Sequence, residues 1–150
     1  MDRDVIILGG GLVGATLALA LDAHGLTSTV VDPADPAVTL APEFDGRASA
    51  VASASGRMLD AIGVGARIAG FGCPIEAIRV SDGLRPGALD FVPDPDDRAL
   101  GVMYENRRLR RALFEAASAA PGVDLRMRTR ATAVDRGATA VTATLSDGET

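Results

Sequence analysis

The hydrophobic pattern at the start of the chain predicts a βαβ unit. An apolar run covers residues 5–21, and four glycines near its middle divide it into two parts. Residues 5–8 are short, β-branched and apolar on both faces, as in a parallel strand buried between helices. Residues 12–23, rich in alanine and leucine, predict a helix that ends at His24, and residues 28–32 predict a second strand. A strand, a glycine turn, a helix and a strand in this order form a βαβ unit.

Two later segments have helical periodicity. Residues 48–62 have an apolar stripe that we expect in the core, formed by Val51, Met58, Leu59 and Ile62. A second helix follows Asn106, whose side chain suits the N-cap position. Its predicted buried stripe consists of Leu109, Ala112, Leu113, Ala116 and Ala117. A solvated surface is expected on its opposite face, which carries most of the charged residues Arg107, Arg108, Arg110, Arg111 and Glu115.

The remaining segments alternate in polarity and predict strands and turns. Residues 75–82 have the mixed alternation of a strand, and residues 83–97 predict a loop or an irregular hairpin. Residues 123–127 predict another parallel strand. Two antiparallel strands, 129–134 and 141–145, are expected to follow it.

The apolar run at residues 5–21 also has a membrane interpretation. An export signal begins with positive charge, whereas this chain begins Met1-Asp2-Arg3-Asp4. A spanning helix needs about 20 apolar residues, and glycines break this shorter run. The sequence therefore argues against export and leaves a single buried span as the weaker alternative.

Composition narrows the possible functions. Of the 150 residues, 47% are hydrophobic and 23% are charged, as in a soluble globular domain. The net charge of −5 argues against a nucleic-acid partner. A single cysteine, Cys73, excludes an internal disulfide and a cysteine zinc cluster, and we expect it to be a small buried residue in a reducing compartment. With one histidine in the chain, neither a catalytic triad nor a metal site is predicted.

The glycines of the βαβ unit form the G-x-G-x-x-G pattern of a dinucleotide-binding turn. Gly9 permits the tight turn, Gly11 lets the backbone approach a pyrophosphate, and Gly14 lets the helix pack closely on the strand. The backbone amides at the helix start, including those of Leu12 and Val13, are expected to hold the phosphates.

Asp32 ends the second strand about 20 residues after these glycines, where a carboxylate accepts hydrogen bonds from ribose hydroxyls. The same carboxylate repels a 2′-phosphate, so the pattern favours an adenosine diphosphate moiety and disfavours NADP in this site. The alternative is a glycine-rich turn that binds no ligand. The pattern does not distinguish FAD from NAD.

Four segments after the βαβ unit resemble a known family. They are FDGRASAVA (44–52), GRMLDAIGV (56–64), CPIEAIRVSD (73–82) and YENRRLRRALFEA (104–116). In this order they resemble the N-terminal part of the ubiquinone-biosynthesis hydroxylases, a branch of the FAD-dependent aromatic-ring monooxygenases. The resemblance covers nearly the whole chain, and the D-G-R and E-N-R motifs are its most particular features.

The resemblance implies three further cofactor contacts. Arg47 of the D-G-R motif is expected to reach the flavin nucleotide at its diphosphate, and the alternative is a surface ion pair with Asp45. Asn106 occupies a position from which relatives contact the flavin, although capping the helix would alone explain it. Ala131 lies where relatives hold the adenine through backbone groups.

The resemblance also implies the fold and its division. The expected fold is an α/β, three-layer, Rossmann-like FAD/NAD(P)-binding domain with a βαβ start, interleaved with part of a mixed-sheet substrate domain. Residues 1–70 and 100–150 are expected to belong to the nucleotide-binding part, and residues 71–99 to begin the inserted substrate domain. Two later flavin motifs of the relatives are missing, so we expect the N-terminal portion of a longer flavoprotein, inactive by itself.

For the complete protein, the resemblance implies an aromatic-ring hydroxylase of ubiquinone biosynthesis that uses FAD, NAD(P)H and molecular oxygen. Its substrate would be a small aromatic compound or quinone precursor, and its location cytoplasmic, with peripheral association with the inner membrane or a biosynthetic complex. The catalytic residues are not assigned. One alternative is an NAD-dependent dehydrogenase, against which the Arg47 and Asn106 segments argue. The other is a non-catalytic nucleotide-binding or sensor domain.

Overall fold

The computed structural model describes residues 2–83, 86–95 and 97–148. The chain divides into two compact units, one formed by Met1–Glu43 with Leu109–Thr150 and the other by Phe44–Arg108. The first unit is therefore built from two separate segments of the chain. These bounds differ from those expected for the nucleotide-binding and substrate parts, and the assignment of those two roles stays a prediction.

The first unit contains a three-stranded parallel sheet. Strand β1 (Val5–Leu8) pairs with β2 (Ser28–Asp32), which pairs on its other side with β8 (Val123–Met127). Helix α1 (Leu12–Ala23) connects β1 to β2. The bounds predicted for these three strands and for the helix are confirmed, as are the α/β class and the βαβ start.

The core of this unit lies between α1 and the sheet. Ile7 of β1, Ala18 of α1 and Val30 of β2 form its buried centre. Removing these apolar side chains from water stabilises the packing of α1 on the sheet. The apolar run at residues 5–21 thus supplies a strand and most of the helix that covers it, and the membrane-span alternative is wrong. Within the described ranges, no helix combines the length and the apolar character needed to cross a bilayer.

Four more elements contribute residues to the first unit. They are α2 (Pro36–Thr39), α5 (Asn106–Ala119), β9 (Ala131–Arg136) and β10 (Val141–Leu145). The predicted buried stripe of α5 is confirmed at all five positions. β9 and β10 are antiparallel as predicted, although β9 runs two residues further than the segment ending at residue 134.

The second unit contains a three-stranded antiparallel sheet. Its strand order is β3 (Ala48–Ala52), β7 (Gly101–Glu105) and β4 (Cys73–Ile75). Helix α3 (Ser53–Ala61) follows β3 directly, and the short helix α4 (Gly65–Ile68) follows α3. The prediction of one helix over residues 48–62 is therefore wrong for its first five residues.

The physical reason is strand pairing between distant segments. Val51 lies opposite Val102 in the ladder between β3 and β7, and the alanine and serine residues around Val51 have no strong helical pattern of their own. On α3, Leu59 is buried as expected, but Met58 is 42% exposed. Cys73 is also exposed, so the prediction that it is a buried residue is wrong.

A two-stranded hairpin follows within the second unit. Strands β5 (Ile78–Val80) and β6 (Leu89–Phe91) pair so that Ile78 lies opposite Phe91 and Val80 opposite Leu89. Between these apolar pairs, Arg79 Nε donates to Asp90 Oδ1 at 2.6 Å. The strand predicted over residues 75–82 is thus divided between β4 and β5. The predicted loop over residues 83–97 contains β6, and its residues Leu84, Arg85 and Asp96 lie outside the described residues.

The glycine turn between β1 and α1 allows a close backbone approach. Gly9 has a φ of 115°, a left-handed conformation that favours glycine. A Cβ atom added to Gly14 would overlap the carbonyl oxygen of Gly9. At Gly11, by contrast, an added Cβ would meet no atom within 4 Å. Gly14 therefore has no room for a side chain, whereas Gly11 faces open space.

Helix α2 begins with a capped turn that is tied to the loop after β8. Asp35 Oδ1 accepts hydrogen bonds from the Ala37 amide at 2.8 Å and from Arg128 Nη2 at 2.8 Å. The Arg128 hydrogen bond, and secondarily the Ala37 amide, lower the pKa of the Asp35 carboxyl below its ordinary value. Arg128 has a φ of 58°, which few residues other than glycine and asparagine adopt readily.

We expect Gly14→Ala to lower the free energy of unfolding by about 1–3 kcal/mol, the usual effect of overpacking. The loss would occur although alanine in a helix normally stabilises by about 1 kcal/mol relative to glycine. Chemical denaturation of the full-length protein measures the effect. The matched control is Gly11→Ala, which has open space around the new methyl group. Equal stability of the two variants would contradict this packing model.

We expect Arg128→Asn to raise the pKa of Asp35 toward its ordinary value, because the substitution removes the charged donor and asparagine tolerates the left-handed backbone. Since the folded-state pKa is lowered, the stabilisation is present above the unfolded pKa and is lost as the pH falls through the folded pKa. A carboxyl NMR titration checks this. A pKa for Asp35 that is the same in both proteins would rule out the ion pair as the cause.

Candidate dinucleotide-binding site

The start of helix α1 presents unoccupied backbone donors to an open space. Gly11 is the N-cap residue, and no side chain caps the helix there. The first amides of a helix, which here include those of Leu12 and Val13, have no partner within the helix. Val13 is 83% exposed, and a Cβ on Gly11 would meet no neighbouring atom. These amides and the positive end of the helix form a site that fits a phosphate group.

The Asp32 carboxylate holds the glycine turn against the end of β2. Its Oδ2 accepts a hydrogen bond from the Gly10 amide at 2.6 Å, and its Oδ1 accepts one from the Ala34 amide at 2.7 Å. An ionised carboxylate has about four acceptor positions. Asp32 can therefore maintain both backbone contacts and accept ribose hydroxyls as well.

A small cavity of about 60 Å³ lies beside this turn, within the first unit. The turn contributes Gly11 and Leu12 to its wall, β2 contributes Asp32, and α5 contributes Arg110. We expected Arg110 on a solvated face of α5, and that expectation is wrong. Arg110 lies three residues before Leu113 of the buried stripe, a spacing that places the two side chains side by side on the helix surface.

Two other predicted site residues, Arg47 and Asn106, lie together in the second unit. The pairing of β3 with β7 brings them together, and the backbone amide of Asn106 donates to the backbone carbonyl of Arg47 at 3.0 Å. Asn106 is the first residue of α5, and its Oδ1 accepts a 2.6 Å hydrogen bond from Ser49 Oγ. The prediction that Asn106 is the N-cap is therefore wrong by one position. The role of Ser49 was not evident from sequence because the contact joins distant segments.

The side chain of Arg47 is 69% exposed and pairs with Asp45, with Nη2 and Oδ2 3.1 Å apart. This ion pair is the alternative that the sequence left open. An exposed pair of this kind contributes little to stability, so the guanidinium can exchange Asp45 for a phosphate at small cost. A contact from Arg47 or Asn106 to the flavin stays a prediction.

Ala131 lies in the first unit, where β9 begins, and it is half-buried. The loop before it is tied to the end of β2, because the Thr129 amide donates to the Asp32 carbonyl at 3.1 Å. The expected adenine contact of Ala131 stays a prediction. In the described part of the chain, no group of three or more His, Cys, Asp or Glu side chains is arranged to hold a metal ion.

Comparison with curated proteins identifies close relatives. The chain is 44% identical over 147 residues to "Ubiquinone hydroxylase UbiL" of Rhodospirillum rubrum, covering 98% of this chain and 34% of that protein. It is 34% identical over 126 residues to "3-demethoxyubiquinol 3-hydroxylase" of Escherichia coli, covering 83% of this chain and 32% of that protein. The chain thus spans about a third of the length of these relatives. The resemblance inferred from the four sequence segments is confirmed.

Solved structures agree on the fold. The Diels-Alderase PyrE3 of pyrroindomycin biosynthesis superposes with a TM-score of 0.74 at 27% identity, covering 96% of this chain and 29% of that one. PqsL, a probable FAD-dependent monooxygenase from Pseudomonas aeruginosa, superposes with a TM-score of 0.69 at 25% identity, covering 98% of this chain and 39% of that one. The Rossmann-like assignment is confirmed.

We expect Asp32→Asn to destabilise the cofactor-free protein by about 1–3 kcal/mol, because one of the two backbone amides would then face an NH₂ group. The unfolding free energy of the flavin-free, full-length variant measures this contact alone. Flavin affinity, measured separately, reports any additional ribose contact. Wild-type stability of the flavin-free variant would show that the contacts of Asp32 to the turn contribute nothing.

The sequence pattern, the open helix start and the position of Asp32 all fit a dinucleotide. A model of the FAD binding domain family matches residues 2–150, which include the glycine turn, Asp32, Arg47, Asn106 and Ala131. We conclude that this chain belongs to the FAD binding domain family.

Proposed function

We propose that the full-length protein is an FAD-dependent monooxygenase that hydroxylates an aromatic ring in ubiquinone biosynthesis. The observation that carries the dinucleotide site is the construction of the glycine turn, where an uncapped helix start faces open space beside the Asp32 carboxylate, and the match to the FAD binding domain family supports FAD as the dinucleotide. The 44% identity to a ubiquinone hydroxylase across nearly the whole chain supports the reaction class and the quinone-precursor substrate.

Each site residue has a distinct part in holding the cofactor. The amides at the start of α1 bind the diphosphate, and Asp32 accepts the hydroxyls of the adenosine ribose. Arg47, released from Asp45, binds the diphosphate of the flavin nucleotide through its planar guanidinium. Asn106 contributes its amide group, and the backbone at Ala131 holds the adenine.

FAD, when bound, supplies the redox chemistry of the reaction, accepting reducing equivalents from NAD(P)H and passing them to molecular oxygen. The residues of this chain bind and orient the cofactor, and they need no strong acid or nucleophile for that role. We further propose that the protein is cytoplasmic and associates with the inner membrane or a biosynthetic complex, since quinone precursors are apolar. This chain alone is proposed to be inactive.

We expect the full-length protein to purify yellow, with flavin absorption bands, and to oxidise NADH or NADPH in the presence of oxygen and a quinone precursor. Chromatography of the released cofactor identifies it as FAD, and mass spectrometry detects the hydroxylated product. A colourless protein that binds NAD would support a dehydrogenase instead. A colourless protein without turnover would support a nucleotide sensor.

Two further experiments test the phosphate site and the isolated chain separately. Gly11→Val should abolish flavin loading while preserving secondary structure, because the side chain would fill the phosphate space. Residues 1–150 expressed alone should retain little FAD on gel filtration and consume no NADH. A yellow Gly11→Val protein would place the phosphates elsewhere, and an isolated chain with stoichiometric FAD would refute its dependence on further segments.

A further inference from the structure

Arg110 lies at the cavity beside the glycine turn, but it is not among the cofactor contacts predicted from the sequence. It is half-buried, and it forms part of the cavity wall together with Gly10, Gly11 and Asp32. Its Nε donates to the Thr39 carbonyl at 3.1 Å. This hydrogen bond holds the Nε edge of the guanidinium at the cavity wall before any ligand binds.

A cation in the cavity wall would offset the negative charges of Asp32 and of a bound diphosphate. The Asp32 carboxylate lies in the same wall, and the diphosphate of a dinucleotide would bring further negative charge close to it. In a partly buried site, repulsion between like charges is stronger than in water. The dipole of α1 offsets part of this repulsion. A guanidinium in the same wall offsets more, and it can donate two parallel hydrogen bonds to phosphate oxygens.

We propose that Arg110 is a phosphate-binding residue that contacts the diphosphate of the adenine dinucleotide held at the glycine turn. This inference rests on the proposed function, because it takes the ligand to be FAD or another ADP-containing compound. It assigns to α5 a direct role in cofactor binding from the first unit, in addition to its role in burying the apolar stripe.

The adjacent residue, Arg111, provides a matched control. Arg111 Nη2 donates to the Leu40 carbonyl at 3.0 Å, so both arginines connect α5 to the end of α2. Arg111 is exposed and is not part of the cavity wall. If the only role of Arg110 were to hold the end of α2, the two arginines would be equivalent.

The test measures binding of adenosine, AMP, ADP and FAD to the flavin-free, full-length protein by calorimetry. For Arg110→Gln we expect the Kd of ADP and FAD to rise by on the order of ten-fold or more, as for loss of charge-assisted hydrogen bonds. The Kd of adenosine should change by less than about two-fold, because adenosine carries no phosphate. Arg111→Gln should leave all four values near those of the wild type. Arg110→Lys retains the charge but not the planar fork, so its values should be intermediate.

Thermal unfolding without ligand confirms that each variant is folded. If Arg110→Gln does not fold, the ADP affinity of Arg110→Lys decides the test. Unchanged ADP affinity in Arg110→Gln, or in Arg110→Lys where that variant alone folds, would overturn the proposal. So would an equal loss for adenosine and ADP, or an equal loss in the Arg111→Gln control. A wild-type protein that binds neither ADP nor FAD would refute the proposed function itself, a result distinct from the others.

Discussion

The hydrogen bond from the Gly10 amide to Asp32 Oδ2, together with that from the Gly9 amide to the Val31 carbonyl at 2.9 Å, positions the glycine turn of the candidate dinucleotide site. At 2.6 Å the Gly10 bond is a short bond to an ionised acceptor, the stronger class of hydrogen bond. Because Gly10 lies between Gly9 and Gly11, this bond fixes the turn against the end of β2. The start of α1, the open space at Gly11 and the cavity beside Asp32 all depend on that position. Asp32 therefore has a structural role in the turn that does not depend on a bound ligand.

The elements that could be predicted from the sequence are those specified by neighbouring residues. The βαβ unit has the correct bounds because the strand pattern, the glycine turn and the helix composition all lie within one short segment. The buried stripe of α5 was equally predictable, since Leu109, Leu113 and their neighbours recur at helical spacing. The glycine pattern indicated a dinucleotide site for the same reason.

The features that could not be predicted depend on contacts between distant segments. Residues 48–52 form a strand because β7 pairs with them, and nothing in the local composition of β3 specifies that partner. The same pairing brings Asn106 to Arg47 and Ser49, which converts an expected helix cap into an acceptor for a serine hydroxyl. Arg110 was assigned to solvent because a run of arginines has no internal signal of which member is buried. Its environment is set by the Thr39 segment and the glycine turn.

The hairpin of β5 and β6 shows how cross-strand side-chain pairs can specify alignment where little surface is buried. All six residues of its strands are exposed, so the hydrophobic effect discriminates weakly between one pairing and the next. A slip by one residue would turn every side chain to the opposite face. It would also separate Arg79 from Asp90, whose two hydrogen bonds at 2.6 and 3.0 Å require these residues to be directly opposite. Because an exposed ion pair contributes little energy by itself, the alignment of the two strands depends on this pair together with the cross-strand apolar pairs of Ile78 with Phe91 and of Val80 with Leu89.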